Sequence, residues 1–323
     1  MIAARPIVLA TRGSPLALAQ THLVLAQCRA RFPAQAFEIK VIKTTGDKLQ
    51  TASLSKTDPS LPKGLFTKEL EVALLNGEAD LAIHSLKDLP TELPDGLALG
   101  ATPPRADVRD VMIYRASSAA AEPTTAAPTD LVFLRLGATV ASSSTRRRAQ
   151  LSLARPDLKL AEIRGNVATR LGKVAKAEGP DATILALAGL ERLNFRITPE
   201  GKLLGDSVPD GLRATILDLA VMLPCVGQGA IGIEIRSGDA ELEKLCAGLN
   251  DAPTFHAVTA ERAFLRGLGG GCQSPVAAYA EVLDQRVAMR VISFQSDPVR
   301  RAEGQRPLTE AAALGEALAA QLR

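Results

Sequence analysis

The sequence predicts an α/β protein: two α/β domains followed by a smaller α+β domain. Three observations carry this expectation. Short apolar strands alternate with helical patterns over the first ~100 residues, and alternate again from Thr139 onward. A chain of 323 residues is too long for one ordinary core, so two or three domains are expected. The pattern then changes near the end, to a helix, two strands joined by a tight turn, and a closing helix.

The elements follow in order. Ile7 to Ala10 is a short apolar strand, and Pro15 to about Phe32 a helix with Leu16, Leu23 and Cys28 among its apolar positions. Phe37 to Ile42 is a strand, Leu65 to Asn76 an amphipathic helix ending near Gly77, and Asp80 to His84 a strand again. Together they read as βαβ architecture with a mainly parallel sheet. Ala116 to Asp130 is a tract of Ala, Ser, Thr and Pro, expected to be a loop or insertion with no chemistry of its own. The second alternating stretch has strands at Thr139 to Ala141, Leu158 to Ile163 and Thr183 to Leu187, with helices at Thr145 to Ala154 and Val167 to Ala177. Ala230 to Ile235 is a further strand and Thr254 to Leu265 a helix. Val276 to Leu283 and Arg286 to Phe294 form an antiparallel pair turning at Asp284-Gln285, and a last helix runs from about Leu308 to Leu322.

Composition narrows the function. Trp is absent and aromatics are 3%, which argues against a base-stacking nucleic-acid surface. The net charge of +3 is small, yet Arg outnumbers Lys about two to one. Codon usage in a GC-rich genome explains part of that total, but not where the arginines sit. Cys28, Cys225, Cys246 and Cys272 make no C-x-x-C pair and no metal-ligand spacing with the three histidines, so free thiols in a reducing cytoplasm are expected. Thr11 to Pro15 interrupt the only signal-like apolar stretch, and no apolar run reaches membrane-spanning length.

Ligands of open α/β sheets bind beyond the carboxyl ends of the strands, and the cations collect there. Arg12 and Ser14 follow the first strand; Ser14 is a natural N-cap and Pro15 a natural first helical residue, which leaves free N–H groups for an anion. Ser142-Ser143-Ser144-Thr145-Arg146-Arg147-Arg148 follows the strand at Thr139. Three arginines in a first helical turn oppose the helix dipole, so a bound polyanion gives the placement a use; a solvated basic face is the other reading. Arg164 follows the next strand, and Arg170 lies one helical turn past Asn166 on the same face. Lys56, Lys63 and Phe66 lie around the loop before the helix at Leu65. Ser85, Lys87 and Asp88 leave the strand ending at His84, and Asp88 is a lone acid among cations, or else a loop residue paired with Lys87. Cys272, in Gly269-Gly270-Gly271-Cys272-Gln273-Ser274-Pro275, is a thiol whose glycines let the backbone bend and present it to something large. These segments describe a polycationic cleft between two α/β domains, holding one carboxylate and facing a thiol. The histidines His22, His84 and His256 lack a partner acid for a Cys-His nucleophile, and no dinucleotide or Walker loop occurs in a valid strand–helix context.

These residues resemble the porphobilinogen deaminase family, also called hydroxymethylbilane synthase. The matching segments are Ala10 to Ala17, Lys63 to Glu71, Ala82 to Pro90, Arg164 to Leu171, Leu185 to Leu193, Val226 to Ala230 and Gly270 to Pro275, in family order along nearly the whole chain. The resemblance implies two domains like type II periplasmic binding proteins and a third that carries the cofactor: residues 1–104 with 228–248, 105–227, and 249–323. It implies a dipyrromethane cofactor joined to Cys272 by a thioether, and head-to-tail condensation of four porphobilinogen molecules into hydroxymethylbilane with loss of four ammonia molecules. Each pyrrole carries an acetate and a propionate, for which arginine forks are suited counter-groups. Asp88 takes the catalytic role by resemblance, stabilising the electron-poor pyrrole left when ammonia departs. Ser85, Lys87, Asp88, Ser144, Arg146, Arg147, Arg164 and Arg170 match cofactor-binding positions. Arg12, Ser14, Lys63, Phe66, Arg164, Arg170, Arg192 and Gln228 match positions for the substrate or the growing chain. No metal is implied. The expected partner is porphobilinogen alone, with no nucleic acid and no membrane, acting on a cytoplasmic monomer.

Three departures from the family pattern stand out. Thr-Ser-Ser-Leu-Arg-Arg is Ser142-Ser143-Ser144-Thr145-Arg146-Arg147 here, followed by the extra Arg148. Ser60-Leu61-Pro62 replaces a glycine pair, and the tract from Ala116 to Asp130 is an addition. A non-catalytic two-lobed polyanion-binding protein would need neither Cys272 nor Asp88, and a nucleic-acid binder built on Arg146-Arg147-Arg148 would show steep salt dependence.

Overall fold

The computed structural model describes residues 5–46, 66–118, 131–206, 208–271 and 274–323. The first lobe is built from β1 (Ile7–Arg12), α1 (Pro15–Arg31), β2 (Phe37–Ile42), α2 (Lys68–Leu75), β3 (Leu81–Ser85) and β4 (Leu97–Ala101). Ser14 caps α1 by accepting from the Ala17 backbone N–H at 3.3 Å, Pro15 stands at its start, and Arg29 and Arg31 in its last turn complement the helix dipole. The second lobe contains β5 (Asp110–Arg115), β6 (Thr139–Ala141), α3 (Thr145–Ala154), β7 (Lys159–Ala161), α4 (Val167–Ala175), β8 (Ala182–Ala186), α5 (Leu187–Arg192), the short β9 (Arg196–Ile197) and β10 (Leu203–Leu204) pair, and β11 (Leu212–Ile216). The chain then returns to the first lobe with β12 (Ile231–Arg236) and α6 (Ala240–Leu249).

The two main sheets share one plan. Their strand orders are β2-β1-β3-β12-β4 and β7-β6-β8-β5-β11. In each, four strands run parallel and one runs against them: β12 in the first sheet, β5 in the second. The reversed strand is in each case the first strand after the chain has crossed from the other lobe. Separate apolar cores fill the lobes, around Leu9, Val24, Leu81 and Ile233 in the first and around Val111, Ile113, Leu171 and Leu185 in the second.

The two crossing segments, 102–109 and 217–230, lie side by side. Ala106 donates its backbone N–H to Gly229 O at 3.2 Å, and Arg105 Nε donates to Gln228 O at 2.9 Å. The Arg105 fork then takes both oxygens of Glu261, at 2.8 and 3.0 Å. Glu261 is fully buried and also accepts from the Gly227 and Ala280 backbone N–H groups, at 2.7 and 2.9 Å. One carboxylate thereby ties both crossings to the C-terminal domain, with each of its charges answered.

That domain comprises α7 (Ala252–Gly267), the antiparallel strands β13 (Val276–Leu283), β14 (Arg286–Ser293) and β15 (Arg300–Pro307), and α8 (Ala311–Leu322). Asp284 and Gln285 both have left-handed φ, +47° and +61°, as a two-residue hairpin turn requires. The expected strand pair is a sheet of three, because β15 adds a mostly exposed, charged edge. Other expected bounds moved by a few residues: β7 is confined to Lys159–Ala161, and α2 starts at Lys68. Most of the Ala116 to Asp130 tract lies outside the described residues. No helix among the described residues is long and apolar enough to cross a membrane.

Helices α7 and α8 touch backbone to backbone at Gly315, where an added Cβ would sit 2.1 Å from Ala260 O and 2.7 Å from Phe264 N. Gly315→Ala is therefore expected to cost about 1–3 kcal/mol by overpacking, read as a lower urea midpoint with an unchanged m-value.

Candidate functional site

The floor of the site is a buried charge cluster. Asp110 opens β5 with no exposed surface. It accepts from Arg146 Nη2 at 2.9 Å, Arg147 Nη2 at 2.7 Å and Gln228 Nε2 at 3.0 Å. The remaining Nη1 groups donate to Leu223 O at 2.6 Å and Ile184 O at 2.9 Å. Burial pushes the Asp110 carboxyl upward, but the two guanidiniums outweigh it and hold the group well below the usual carboxylate range. The arginines of the first turn of α3 are thus not a solvated face: two of the three point inward onto an acid. Ser144 caps the same helix, accepting from Arg147 N at 3.4 Å. Arg148 is half-buried.

One carboxylate serves two guanidiniums, so the cluster stays positive. The Nε–H groups of Arg146 and Arg147 are buried and have no hydrogen-bond partner among the described residues. A buried donor without an acceptor costs about 1–3 kcal/mol, so two such donors mark where an acceptor belongs.

Beside them is a cavity of about 160 Å³. Lys87, Asp88, Ser144, Arg146, Arg147 and Gln228 line it, with Cys225 at its edge; Gly271 and Ser274 line it from the C-terminal domain. Asp88 is exposed and ends the 3₁₀ turn Leu86–Asp88 that follows β3. The turn rests on the second crossing segment, with Leu86 N donating to Ala230 O at 3.1 Å. Gly227 permits this approach: its φ is +72°, and a Cβ there would come within 3.1 Å of Lys87 N. Ser85 Oγ accepts from Gln20 Nε2 at 2.8 Å. Gln20 was missed in the sequence; a buried glutamine on the inner face of α1 is its one signal.

Arg12, Arg164, Arg170 and Arg192 are not among the residues that line this cavity. The Arg12 guanidinium stacks over the Phe66 ring at 4.2 Å, near the Ser14 cap. Arg164 is exposed, 3.8 Å from Glu162. Arg170 Nε donates to Gly165 O at 2.8 Å, and burial, then the neighbouring Arg147 charge, lowers its pKa. Arg192 Nη2 donates to Gly229 O at 2.6 Å, and burial brings its pKa down to about 10 against the opposing pull of Glu191. Gln228 is fully buried; its amide also donates to Val108 O at 2.7 Å. Lys56, Lys63 and Cys272 lie outside the described residues. A larger hollow of about 430 Å³ lies on the C-terminal sheet between Tyr279, Arg290 and Glu303, but Glu281 and Glu303 outnumber Arg290 there, which does not suit an acidic ligand, and it holds no orphaned donor among the described residues.

The fold and cleft define a two-lobed α/β protein with an arginine-rich site for an acidic ligand, faced by a third domain. Comparison with known proteins makes this specific. Residues 7–244 match the family model for the porphobilinogen deaminase dipyrromethane cofactor binding domain, and residues 255–323 the model for the porphobilinogen deaminase C-terminal domain. Among similar curated proteins, the porphobilinogen deaminases of Desulforudis audaxviator and Paracoccus denitrificans are each 43% identical over 322 residues, covering 98% of this chain and 94% of theirs. That of Moorella thermoacetica is 44% identical over 280 residues, 87% of this chain and 80% of its own. The chain belongs to the porphobilinogen deaminase family, as a transferase of tetrapyrrole synthesis with a dipyrromethane cofactor. The donor set suits that group: a pyrrole acetate or propionate supplies the acceptor that each buried Nε–H lacks.

Asp110→Asn leaves two buried guanidiniums without their counter-charge. The expected loss is about 3–5 kcal/mol of unfolding free energy by urea titration.

Proposed function

We propose that the cleft condenses four porphobilinogen molecules head-to-tail on a dipyrromethane primer attached through Cys272, releasing ammonia and hydroxymethylbilane. The buried, acceptor-less Nε–H groups of Arg146 and Arg147, beside Lys87 and Asp88, carry this reading. When bound, the cofactor supplies a covalent primer whose free pyrrole end accepts the next unit. Support for Cys272 as the attachment point is that Gly271 and Ser274, its neighbours in sequence on either side, line the same cavity.

Arg146, Arg147, Lys87, Ser144 and Ser85 bind cofactor carboxylates on one side of Asp88. Arg170, Arg164, Arg192, Arg12, Ser14 and Lys63 bind the carboxylates of incoming substrate and of the lengthening chain, Arg164 and Arg170 reaching those of the cofactor as well, while Phe66 packs under the Arg12 guanidinium and Gln228 holds Asp110 in place. The lowered pKa values of Arg170 and Arg192 fit this role, since both are half-buried cations that donate to backbone carbonyl oxygens. Asp88 projects from its turn at the cavity, where its carboxylate faces the substrate pyrrole N–H. It stabilises the positive charge that develops as ammonia leaves, and then receives the proton released when the new carbon–carbon bond restores aromaticity. Residues 1–104 with 228–248, 105–227 and 249–323 act as three domains of a cytoplasmic monomer, with no nucleic-acid or membrane partner.

Asp88→Asn is expected to lower turnover about a hundredfold or more while intact mass spectrometry still finds the two-pyrrole adduct. Cys272→Ser is expected to show the bare polypeptide mass and no turnover. Wild-type rates in Asp88→Asn, or a bare mass for active wild-type enzyme, would contradict the reading.

A further inference from the structure

The first lobe buries a second titratable cluster, directly behind the turn that carries Asp88. His84 Nε2 lies 2.9 Å from Glu234 Oε2, with side-chain exposures of 3% and 0%. The other oxygen, Glu234 Oε1, is buried without a hydrogen-bond partner among the described residues. Glu71 of α2 is also buried, and belongs to the same electrostatic group. None of the three takes part in the chemistry above.

We propose that His84 and Glu234, with Glu71 behind them, are positioning residues that fix the end of β3 on β12 and so set where the following turn holds Asp88. This rests on the assignment of Asp88 as the catalytic carboxylate. Stability alone gives little reason for the pair: a buried polar contact of this kind is commonly no better than apolar residues of the same volume. Its geometry gives a reason. In the β3–β12 register His84 sits opposite Gly232, and Glu234 opposite Ala82, so the contact runs diagonally across the two strands. A slip of β12 by one residue against β3 would turn Glu234 to the opposite face and separate it from His84. The next register positions lead into the site: Ser85 opposes Ile231, Leu86 N donates to Ala230 O at 3.1 Å, and Leu86 packs against Gly232, where a Cβ would lie 2.9 Å from its Cδ1. Asp88 follows two residues later. Strand β12 is also the return of the crossing segment that supplies Gln228, so one buried contact aligns both walls of the cavity.

Glu71 adds pH dependence. Burial first, and Glu234 among its neighbours, hold its carboxyl above the usual carboxylate range. The charged groups around it are Glu234 from β12, His84 from β3 and Glu69 on its own helix; β1 and β4 offer Ala10 and Leu97, which carry no charge. A raised folded-state pKa means the stabilisation is complete at low pH and is lost as pH rises through that value. Ionised Glu71 then sets a second negative charge beside Glu234 and loosens the His84 contact.

Steady-state kinetics of the holoenzyme test this, with cofactor content read by intact mass. Glu234→Gln keeps the volume and removes the charge; its kcat is expected to fall about tenfold with KM and cofactor content near wild type. His84→Gln, which keeps a donor, is expected to retain more kcat than His84→Leu. Wild type is expected to lose kcat as pH rises through the raised Glu71 pKa, and Glu71→Gln is expected to lack that decline. Wild-type kcat in Glu234→Gln, equal kcat in the two His84 variants, or the same pH profile in Glu71→Gln as in wild type would each overturn the proposal. Asp88→Asn measured alongside separates the two ideas: full activity there refutes the catalytic assignment itself, whereas loss there with none in Glu234→Gln refutes only the positioning role.

Discussion

The site depends on one carboxylate shared between two guanidiniums. Without Asp110, Arg146 and Arg147 could not stay buried in the first turn of α3, where the helix dipole already opposes them. With it, the cluster is stable but short by one negative charge. The shortfall is directional as well as electrostatic, because Asp110, Leu223 O and Ile184 O occupy the forks and leave the two Nε–H groups over. A carboxylated ligand is the completion this arrangement lacks.

A second buried carboxylate organises the frame around the first. Glu261 joins Arg105 and Gly227, one from each crossing segment, to Ala280 of the C-terminal domain. The neighbouring Gln228 reaches from that junction to Asp110. The frame that ties the lobes together and the floor that binds charge are therefore continuous through one side chain. The His84–Glu234 contact extends the same logic one layer deeper, to the strand that leads into the Asp88 turn.

The sequence showed a good deal of this and missed particular parts for physical reasons. Ser14-Pro15 and Asp284-Gln285 were legible because a cap and a two-residue turn are local chemistry, and the structure puts α1 and the β13–β14 turn there. Strand β5 was not read because it is buried along nearly its whole length and so shows no alternation, and β4 and β11 because five residues are too short a run to set them apart from a loop. Strand β15 was missed because only one of its faces packs, leaving a polar run. The strand-end cations were legible as a group, yet their counter-charge was not. Asp110 lies 36 residues from Arg146 and looks like any other acid in its segment; Glu261 lies in mid-helix. Long-range pairing decides which arginines are buried, and no local pattern reports it.

The most direct measurement is the structure of the holoenzyme at a resolution that fixes the guanidinium hydrogen bonds. The account requires cofactor carboxylate oxygens within about 3 Å of Arg146 Nε and Arg147 Nε, with Asp110 still holding both forks. A cofactor whose carboxylates bond elsewhere, with both Nε–H groups still lacking an acceptor, would contradict it.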